Sequence, residues 1–386
     1  MQVAPHITVM TGPGNHSEKL VDAIKLYGVP VEVFRYFPDF THEFYDHKGL
    51  LIKTSKPKIT PQIARFAWAF CIRIPFLKKR NYHVYLHFLL YDSWVKKRAS
   101  SSSKLLWAWS QTSLQTMKKF KKQKKHIVLE KPMIHVLSWT TILQQAYKCR
   151  FHAYYFSRSL QKRMLQEYEK AEKIIVLSDF ASNSFVQNGI ESEKLTKLNL
   201  YVNTNLFKPA GAEPEGTFNI LFVGRIDTLK GAGVLLDAFE RLNTKHPDIS
   251  LTLVGANSYE LQNRLMEKKE NIRITGYKTP GELASYYQQA HLLVLPSAQE
   301  SFGLVMLEAL ACETPVLASV KSGGPDLEKL TTDVKTVDPS NAFEIDNALL
   351  FFYNNRSRAK KTFSMFEKYN KDYYLTQVNT VIKNYL

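Results

Sequence analysis

HLLVLPSAQESFGLVMLEALACETPVLAS, residues 291–319, decides the fold. The stretch opens on the short apolar run HLLVLP, crosses a polar loop, continues as the helical LVMLEALA and returns to the apolar TPVLAS (314–319). Strands and helices alternating at this rhythm give a parallel sheet wound on both faces. The same residues set a chemical question, because Glu300 and Glu308 bracket a run that reads as buried. An ionised carboxylate in such a run is costly unless strong donors satisfy it, and sugar hydroxyls are such donors. Alternatively, Glu308 caps its own helix start and Glu300 is an exposed loop acid.

The pattern extends outward from there. NILFVG (219–224) is followed by GAGVLLDAFERL at helical spacing, and SLTLVG and NIRITG repeat the strand-plus-glycine theme. Thr279-Pro280-Gly281-Glu282 is a capping box with proline at the first helical position. The first half has the same grammar: HITVMTG leads into the helical NHSEKLVDAIKLYG, then VPVEVFRY, and later YHVYLHF, KLLWAWS, HIVLE and KIIVLS read as strands. Ser178 is a good N-cap for DFASNSFVQNG. VNTNLFKPAGAEPEGT is rich in Asn, Pro and Gly and suits a linker, so the expected boundary lies near residue 205. The expected domains are 1–205 and 206–386, with the last helix packing back on the first.

At 386 residues the chain fits two domains better than one core. Cys71, Cys149 and Cys312 lie far apart without metal-ligand spacing, which argues against a disulfide framework or zinc and for a reducing compartment. The N-terminus lacks an export pattern. The longest apolar stretch, Ile63 to Leu77, is interrupted by Arg65 and Arg73, so no membrane-spanning helix is expected. Net charge is +17 and unevenly spread: residues 1–210 hold 33 Lys and Arg against 14 Asp and Glu, residues 211–386 hold 19 against 21. The segment from Trp94 to Lys125 has ten basic residues and no acidic one. Such a field meets an anionic surface or keeps the protein soluble.

In doubly wound sheets ligands bind in the loops after the strands. GRIDTLKG (224–231) is such a loop. It is not a Gly-x4-Gly-Lys-Ser/Thr phosphate loop, yet it sets Arg225 and Lys230 at a helix N-terminus, where free N–H groups already favour anions. Arginine grips a phosphate with two bonds and lysine acts as a point charge, so the pair suits a diphosphate. Two solvated surface cations are the other reading of that loop taken alone.

With these motifs in order, the chain resembles the retaining glycosyltransferases of family 4, which have the two-domain GT-B fold of two doubly wound Rossmann-like domains facing a central cleft. The likeness is closest from Asn219 to Asp326, through FVGRIDTLKG, SLTLVG, ITGYKTPGELASYYQQAHLLVLPS, the Glu-x7-Glu pair Glu300 to Glu308, and SGGPD. The resemblance implies that Arg225 and Lys230 bind the diphosphate of a nucleotide-sugar, with Gly224 opening their loop. It gives Glu300 and the amides of Ser301, Phe302, Gly303 and Leu304 to the donor sugar, and Glu308 to the ribose. Gly276 and Tyr277 would meet the nucleobase, and Gly12 and Gly14 would let the first domain approach the phosphates. The catalytic set would be Glu300, Arg225, Lys230 and, in the loop after HIVLE, His135, with Glu130 and Lys131 nearby. His135 is otherwise a polar loop histidine. His83 and His87 alternate on one expected strand, and His16 follows the glycine loop. Three departures stand out: Glu313 where the family has glycine, Asp326 where it has glutamate, and LVGANSYE without an acidic-Gly pair.

No Asp-x-Asp pair occurs, so a metal-independent enzyme without cofactor is expected. The implied partners are a UDP- or GDP-sugar donor and a glycan or lipid-linked acceptor in surface polysaccharide or glycolipid synthesis. The basic first domain, with Trp68, Trp94, Trp107 and Trp109 among its cations, suits an anionic membrane surface, the other reading being a solvated basic face with the tryptophans in the core; the expected place is the cytoplasm, peripheral on the inner face of the cell membrane. Two rivals are a nucleic-acid-binding protein, which leaves the acid pair unexplained, and a sugar phosphorylase or epimerase on the same fold.

Overall fold

The computed structural model describes residues 4–12, 16–36, 41–56, 82–147, 156–211, 214, 216–258, 261, 264, 271–356 and 363–386. Gly14, Trp68, Cys71, Cys149 and the apolar stretch from residue 63 to 77 lie outside them. Two compact α/β units result: residues 1–176, 184–198 and 374–386 form the first, and 177–183 with 199–373 the second.

The first unit is built on an eight-stranded sheet. Its strands are β1 (Ile7–Met10), β2 (Val31–Arg35), β3 (Thr41–Tyr45), β4 (Leu51–Ser55), β5 (Leu105–Trp109), β6 (His126–Glu130), β7 (Lys173–Val176) and β8 (Leu195–Lys197), in the spatial order β4-β3-β2-β1-β5-β6-β7-β8. From β2 to β8 every pairing is parallel; β3 and β4 join antiparallel at one edge. The central strands are continuous apolar runs because helices cover both faces, and β5 is buried at all five positions.

The structure departs from the sequence reading in one expected strand and one unread hairpin, and it decides between the two readings of the tryptophans. YHVYLHF is no strand but the start of a helix, Tyr82–Arg98. The first seven residues alternate, but over the whole segment the buried positions are Phe88, Tyr91, Asp92, Trp94, Val95 and Ala99, a helical stripe. His83 and His87 therefore do not alternate on a strand, and His87 Nδ1 pairs with the Tyr36 hydroxyl. The edge hairpin β3–β4 was missed altogether. Its signal is local: Asp46 Oδ1 accepts the N–H groups of Lys48 and Leu50 at 2.8 and 2.9 Å, and Gly49 supplies the positive φ of the turn. Trp94, Trp107 and Trp109 are at most 5 % exposed, so they belong to the core and not to a membrane face. Tryptophan in a strand covered on both faces has nowhere else to go.

The second unit has six parallel strands: β9 (Phe218–Val223), β10 (Ile249–Val254), β11 (Ile272–Ile274), β12 (Leu292–Leu295), β13 (Val316–Ser319) and β14 (Val334–Val337), in the order β11-β10-β9-β12-β13-β14. Phe218, Ile220, Phe222, Leu251, Leu253, Val294 and Leu317 pack in one core with Leu235, Phe239, Ile345 and Leu349 from the helices Ala232–Lys245 and Ala342–Asn354. Val202 and Phe207, in the Asn- and Pro-rich stretch, are buried in this unit. The capping box forms as written, with Glu282 accepting the Thr279 N–H at 2.9 Å and its hydroxyl at 2.7 Å.

Glu313 takes φ 62°, the left-handed position that ends the helix Leu304–Ala311, and Thr314 N–H closes back on Ala309 O at 2.9 Å. That is the place where glycine is cheapest, since a Cβ there costs about 1 kcal/mol. Glu313→Gly is therefore predicted to raise the thermal midpoint of the second unit by the equivalent of about 0.5–1 kcal/mol, read by calorimetry.

Candidate active site

In both sheets the strand order reverses once, between β1 and β5 and between β9 and β12. The chain leaves each reversal in opposite directions, which opens a crevice outside the carboxyl ends where ligands bind in such sheets. In the second unit this point is flanked by the loops 224–231 and 296–303.

Glycine lets the strand ends approach. A Cβ on Gly255 would lie 1.8 Å from Gly224 O, and one on Gly231, at φ 77°, 2.0 Å from Pro296 O. The loop after β9 thus rests on the first residue after β12, and Ala298 N–H binds Leu229 O at 2.9 Å. Asp227, fully buried, organises the loop from within: one carboxylate oxygen accepts the Lys230 N–H at 2.8 Å and the other accepts Arg225 Nε. Arg225 is so held at its base while its guanidinium stays partly exposed.

Lys230 reaches across the crevice and its Nζ donates to Glu300 Oε2. Glu300 is placed by its own N–H on Lys321 O at 2.8 Å, and its Oε1 accepts the Ser301 N–H at 3.2 Å. Phe302 is buried, and Gly303, at φ 94°, sits at the N-cap of Leu304–Ala311. A side chain at Gly303 would press on Leu295 and Met306 and on Glu300 Cγ at 3.3 Å. Lys230 and Glu300 therefore meet, and Arg225 is tied to the same loop through Asp227.

Glu308, one turn into the helix, answers the opening question differently. Its Oε2 accepts the Tyr287 hydroxyl at 2.7 Å, from the helix Pro280–Gln289. An internal donor thus solvates part of the carboxylate. Tyr287 was missed in the sequence; its offset from the acid gives no hint, because the two helices meet only in three dimensions. Gly276, at φ 71°, offers its O to Gly255 N–H at 3.0 Å, and the adjacent Tyr277 ring is 77 % exposed.

In the first unit, Gly12 ends β1 against Trp109, where a Cβ would overlap the indole at 1.9 Å. His135, in the loop just before the helix Val136–Tyr147, is buried and not solvated: it is 1 % exposed, between the rings of Tyr168 and Phe185. Its N–H binds Ser184 Oγ at 2.9 Å, and its Nδ1 accepts Leu137 N–H at 3.3 Å, which leaves the proton of the neutral ring on Nε2. Burial, and after it the nearby Lys131, lowers its pKa to about 4. Lys131 is itself 1 % exposed and pushed down to about 7 by burial, partly countered by Glu167. Glu130 is buried and accepts Trp107 Nε1 at 3.0 Å.

Because the folded pKa of His135 lies below its ordinary value, the unfolded chain takes up a proton first as the pH falls. Its stabilising contribution is complete above about pH 6.5 and is lost as the pH drops toward 4. His135→Asn keeps an acceptor for Leu137 and cannot titrate in this range. The difference in thermal midpoint between wild type and variant is predicted to shrink in favour of the variant between pH 6.5 and 4; a pH-independent difference refutes the assignment.

Residues 203–372 match the family model described as glycosyl transferases group 1. A D-inositol 3-phosphate glycosyltransferase of Arthrobacter sp. strain FB24 is 38 % identical over 138 residues, 33 % of this chain and 33 % of that protein. D-inositol 3-phosphate glycosyltransferase 1 of Catenulispora acidiphila is 31 % identical over 188 residues, 42 % of this chain and 44 % of its own. The chain thus matches about a third to under half of the length of these curated relatives. Among solved structures, Anabaena Alr3699/HepE, solved in complex with UDP and glucose, is similar with a TM-score of 0.64 at 16 % identity, covering 98 % of this chain and 100 % of that one. A UDP-forming α,α-trehalose-phosphate synthase from Burkholderia xenovorans gives 0.66 at 14 %, covering 99 % of both. Residues 203–372, under half of the chain, are thus similar to the group 1 glycosyl transferases, and the chain has the GT-B fold of these solved structures.

Proposed function

We propose that the protein moves a sugar, with retention, from a nucleoside-diphosphate donor to a glycan or lipid-linked acceptor. The observation that carries this reading is the meeting of Lys230 with Glu300 at the strand-order reversal of the second unit, with Arg225 held in the Lys230 loop by Asp227. In that reading Arg225 and Lys230 take the diphosphate. Glu300 with the amides from Ser301 to Leu304 takes the donor sugar, Glu308 the ribose, and the loop at Gly276 and Tyr277 the base. Gly12, Gly14 and His135 belong to the first unit's share of the site. The ion pair keeps both charges in place until a diphosphate competes for the lysine. As the glycosidic bond breaks, charge grows on the leaving diphosphate, and cations fixed in advance by Asp227 stabilise it without reorganising. His135, neutral across the physiological range, can donate from Nε2 but is a poor base.

The UDP and UDP-glucose complexes of the Anabaena protein favour a UDP-sugar over a GDP-sugar. The names of the curated relatives make D-inositol 3-phosphate an acceptor to test. For a lipid-linked acceptor at an anionic membrane surface, the support is the exposed Lys96, Lys97, Arg98, Lys121, Lys122 and Lys124 at the ends of two helices. No helix among the described residues is long and apolar enough to cross a membrane.

Thermal shift against UDP-, GDP- and ADP-sugars tests the donor reading, since a ligand at 100 times its Kd stabilises by about 2.7 kcal/mol. One nucleotide series is predicted to raise the midpoint, and no response to any of the three sinks the reading. Arg225→Ala and Lys230→Ala are predicted to lower turnover about 100-fold. Co-sedimentation with anionic vesicles at low salt, absent with neutral ones, is the outcome expected of the basic face.

A further inference from the structure

Three non-glycine residues among those described adopt a left-handed backbone: Gln111 at φ 84°, Lys124 at 54° and Glu313 at 62°. Two of them are ordinary helix ends. Lys125 N–H reaches back to Phe120 O and Thr314 N–H to Ala309 O, the closure in which such a residue is usual. Gln111 ends no helix. It lies between β5 and the helix Leu114–Lys122, in the loop beside the reversal of strand order in the first unit.

Its backbone is held from both sides by buried ions. The Gln111 N–H donates to Glu167 Oε2 at 2.6 Å, and its carbonyl accepts Arg163 Nε at 2.9 Å. Glu167 also accepts the Ser113 N–H at 3.0 Å. Arg163 continues to Asp92, which accepts the N–H groups of Gln115 and Thr116 at 2.6 and 2.9 Å. A residue in a sparsely populated conformation persists only where its surroundings over-determine it, and such residues gather at functional sites. Glycine would take this backbone more cheaply, so the side chain needs a reason of its own. That side chain is half-buried, and its Nε2 meets the Met133 thioether at 3.9 Å, a weak acceptor for a group with two donors and an acceptor of its own.

We propose that Gln111 is an acceptor-specificity residue, whose carboxamide is held at the carboxyl edge of the first unit's sheet to hydrogen-bond a hydroxyl or amide of the acceptor sugar. The assignment rests on the reading of the first unit as the acceptor-binding one. Gln111 acts on binding and orientation and takes no part in bond cleavage.

Gln111→Gly removes the carboxamide and relieves the backbone, and Gln111→Glu keeps length and strain but loses the donor. Transfer is measured with the nucleotide-sugar that stabilises the wild type, using D-inositol 3-phosphate, glucose 6-phosphate and undecaprenyl-diphospho-N-acetylglucosamine as acceptors. For Gln111→Gly the expected result is a thermal midpoint equal to or above that of the wild type, with kcat/KM for the accepted compound lowered about tenfold through KM, the scale of one lost hydrogen bond. Gln111→Glu is expected to raise the same KM. The thermal midpoint of each variant is the folding control, and the shift induced by that same nucleotide-sugar is the control for donor binding. Unchanged acceptor KM in both variants overturns the assignment, and so does a Gln111→Gly protein that melts lower, because the side chain is then structural. A wild type that cleaves no nucleotide-sugar refutes the transferase reading itself and the acceptor role with it.

Discussion

The reversal of strand order between β9 and β12 is the constraint on which the site depends. Because β12 hydrogen-bonds directly to β9, Leu292 facing Ile220 and Leu293 facing Leu221, the loops that follow these strands emerge side by side although 70 residues separate Lys230 from Glu300. Everything local then serves that contact. Gly231 permits the approach to Pro296, Asp227 orders Arg225 and Lys230, and Gly303 turns the chain into the helix Leu304–Ala311. The Lys230 N–H and Arg225 Nε meet the buried Asp227 carboxylate, and a buried carboxylate without such donors would be expensive.

The first unit uses the same economy with more charge. Arg163, Asp92 and Glu167 are 3 %, 0 % and 0 % exposed, and their purpose is positional more than stabilising. Buried ion networks of this kind add little net stability, but losing one member leaves an uncompensated charge at a cost of about 3–5 kcal/mol. What the network purchases is a fixed loop after β5, with two carboxylates at the start of the helix Leu114–Lys122, where the helix dipole favours them. Burial raises the pKa of Glu167 to about 7, with Arg163 and the backbone N–H groups of Ser113 and Gln111 working against it. The loop is therefore held by a group whose charge depends on the integrity of its donors.

How much of this could be read beforehand differs between the two units for a physical reason. In the second unit β9, β10 and β11 are short apolar runs closed by glycine, and the helices Pro280–Gln289 and Ala342–Asn354 start with their own caps at Thr279 and Asn341, so there local chemistry and tertiary role agree. In the first unit YHVYLHF alternates like a strand, yet its neighbours from Phe88 to Ala99 impose a helical stripe. The hairpin β3–β4 hid because a partly exposed edge carries little hydrophobic signal. The tryptophans read as surface anchors because they stand among lysines, and only the sheet shows that β5 is covered on both faces.

By itself the sequence determined the doubly wound architecture, the helix caps, and the residue types at the loops of the second unit, since periodicity, caps and glycine positions are properties of neighbours along the chain. Tertiary structure alone decided that Tyr287 serves Glu308, that His135 is interior and neutral, that Asp227 orders the cations, and that Gln111 is held at φ 84° by Glu167 and Arg163. Those facts depend on which side chains meet across dozens of residues, and on how far water is excluded where they meet, and neither is written in local spacing.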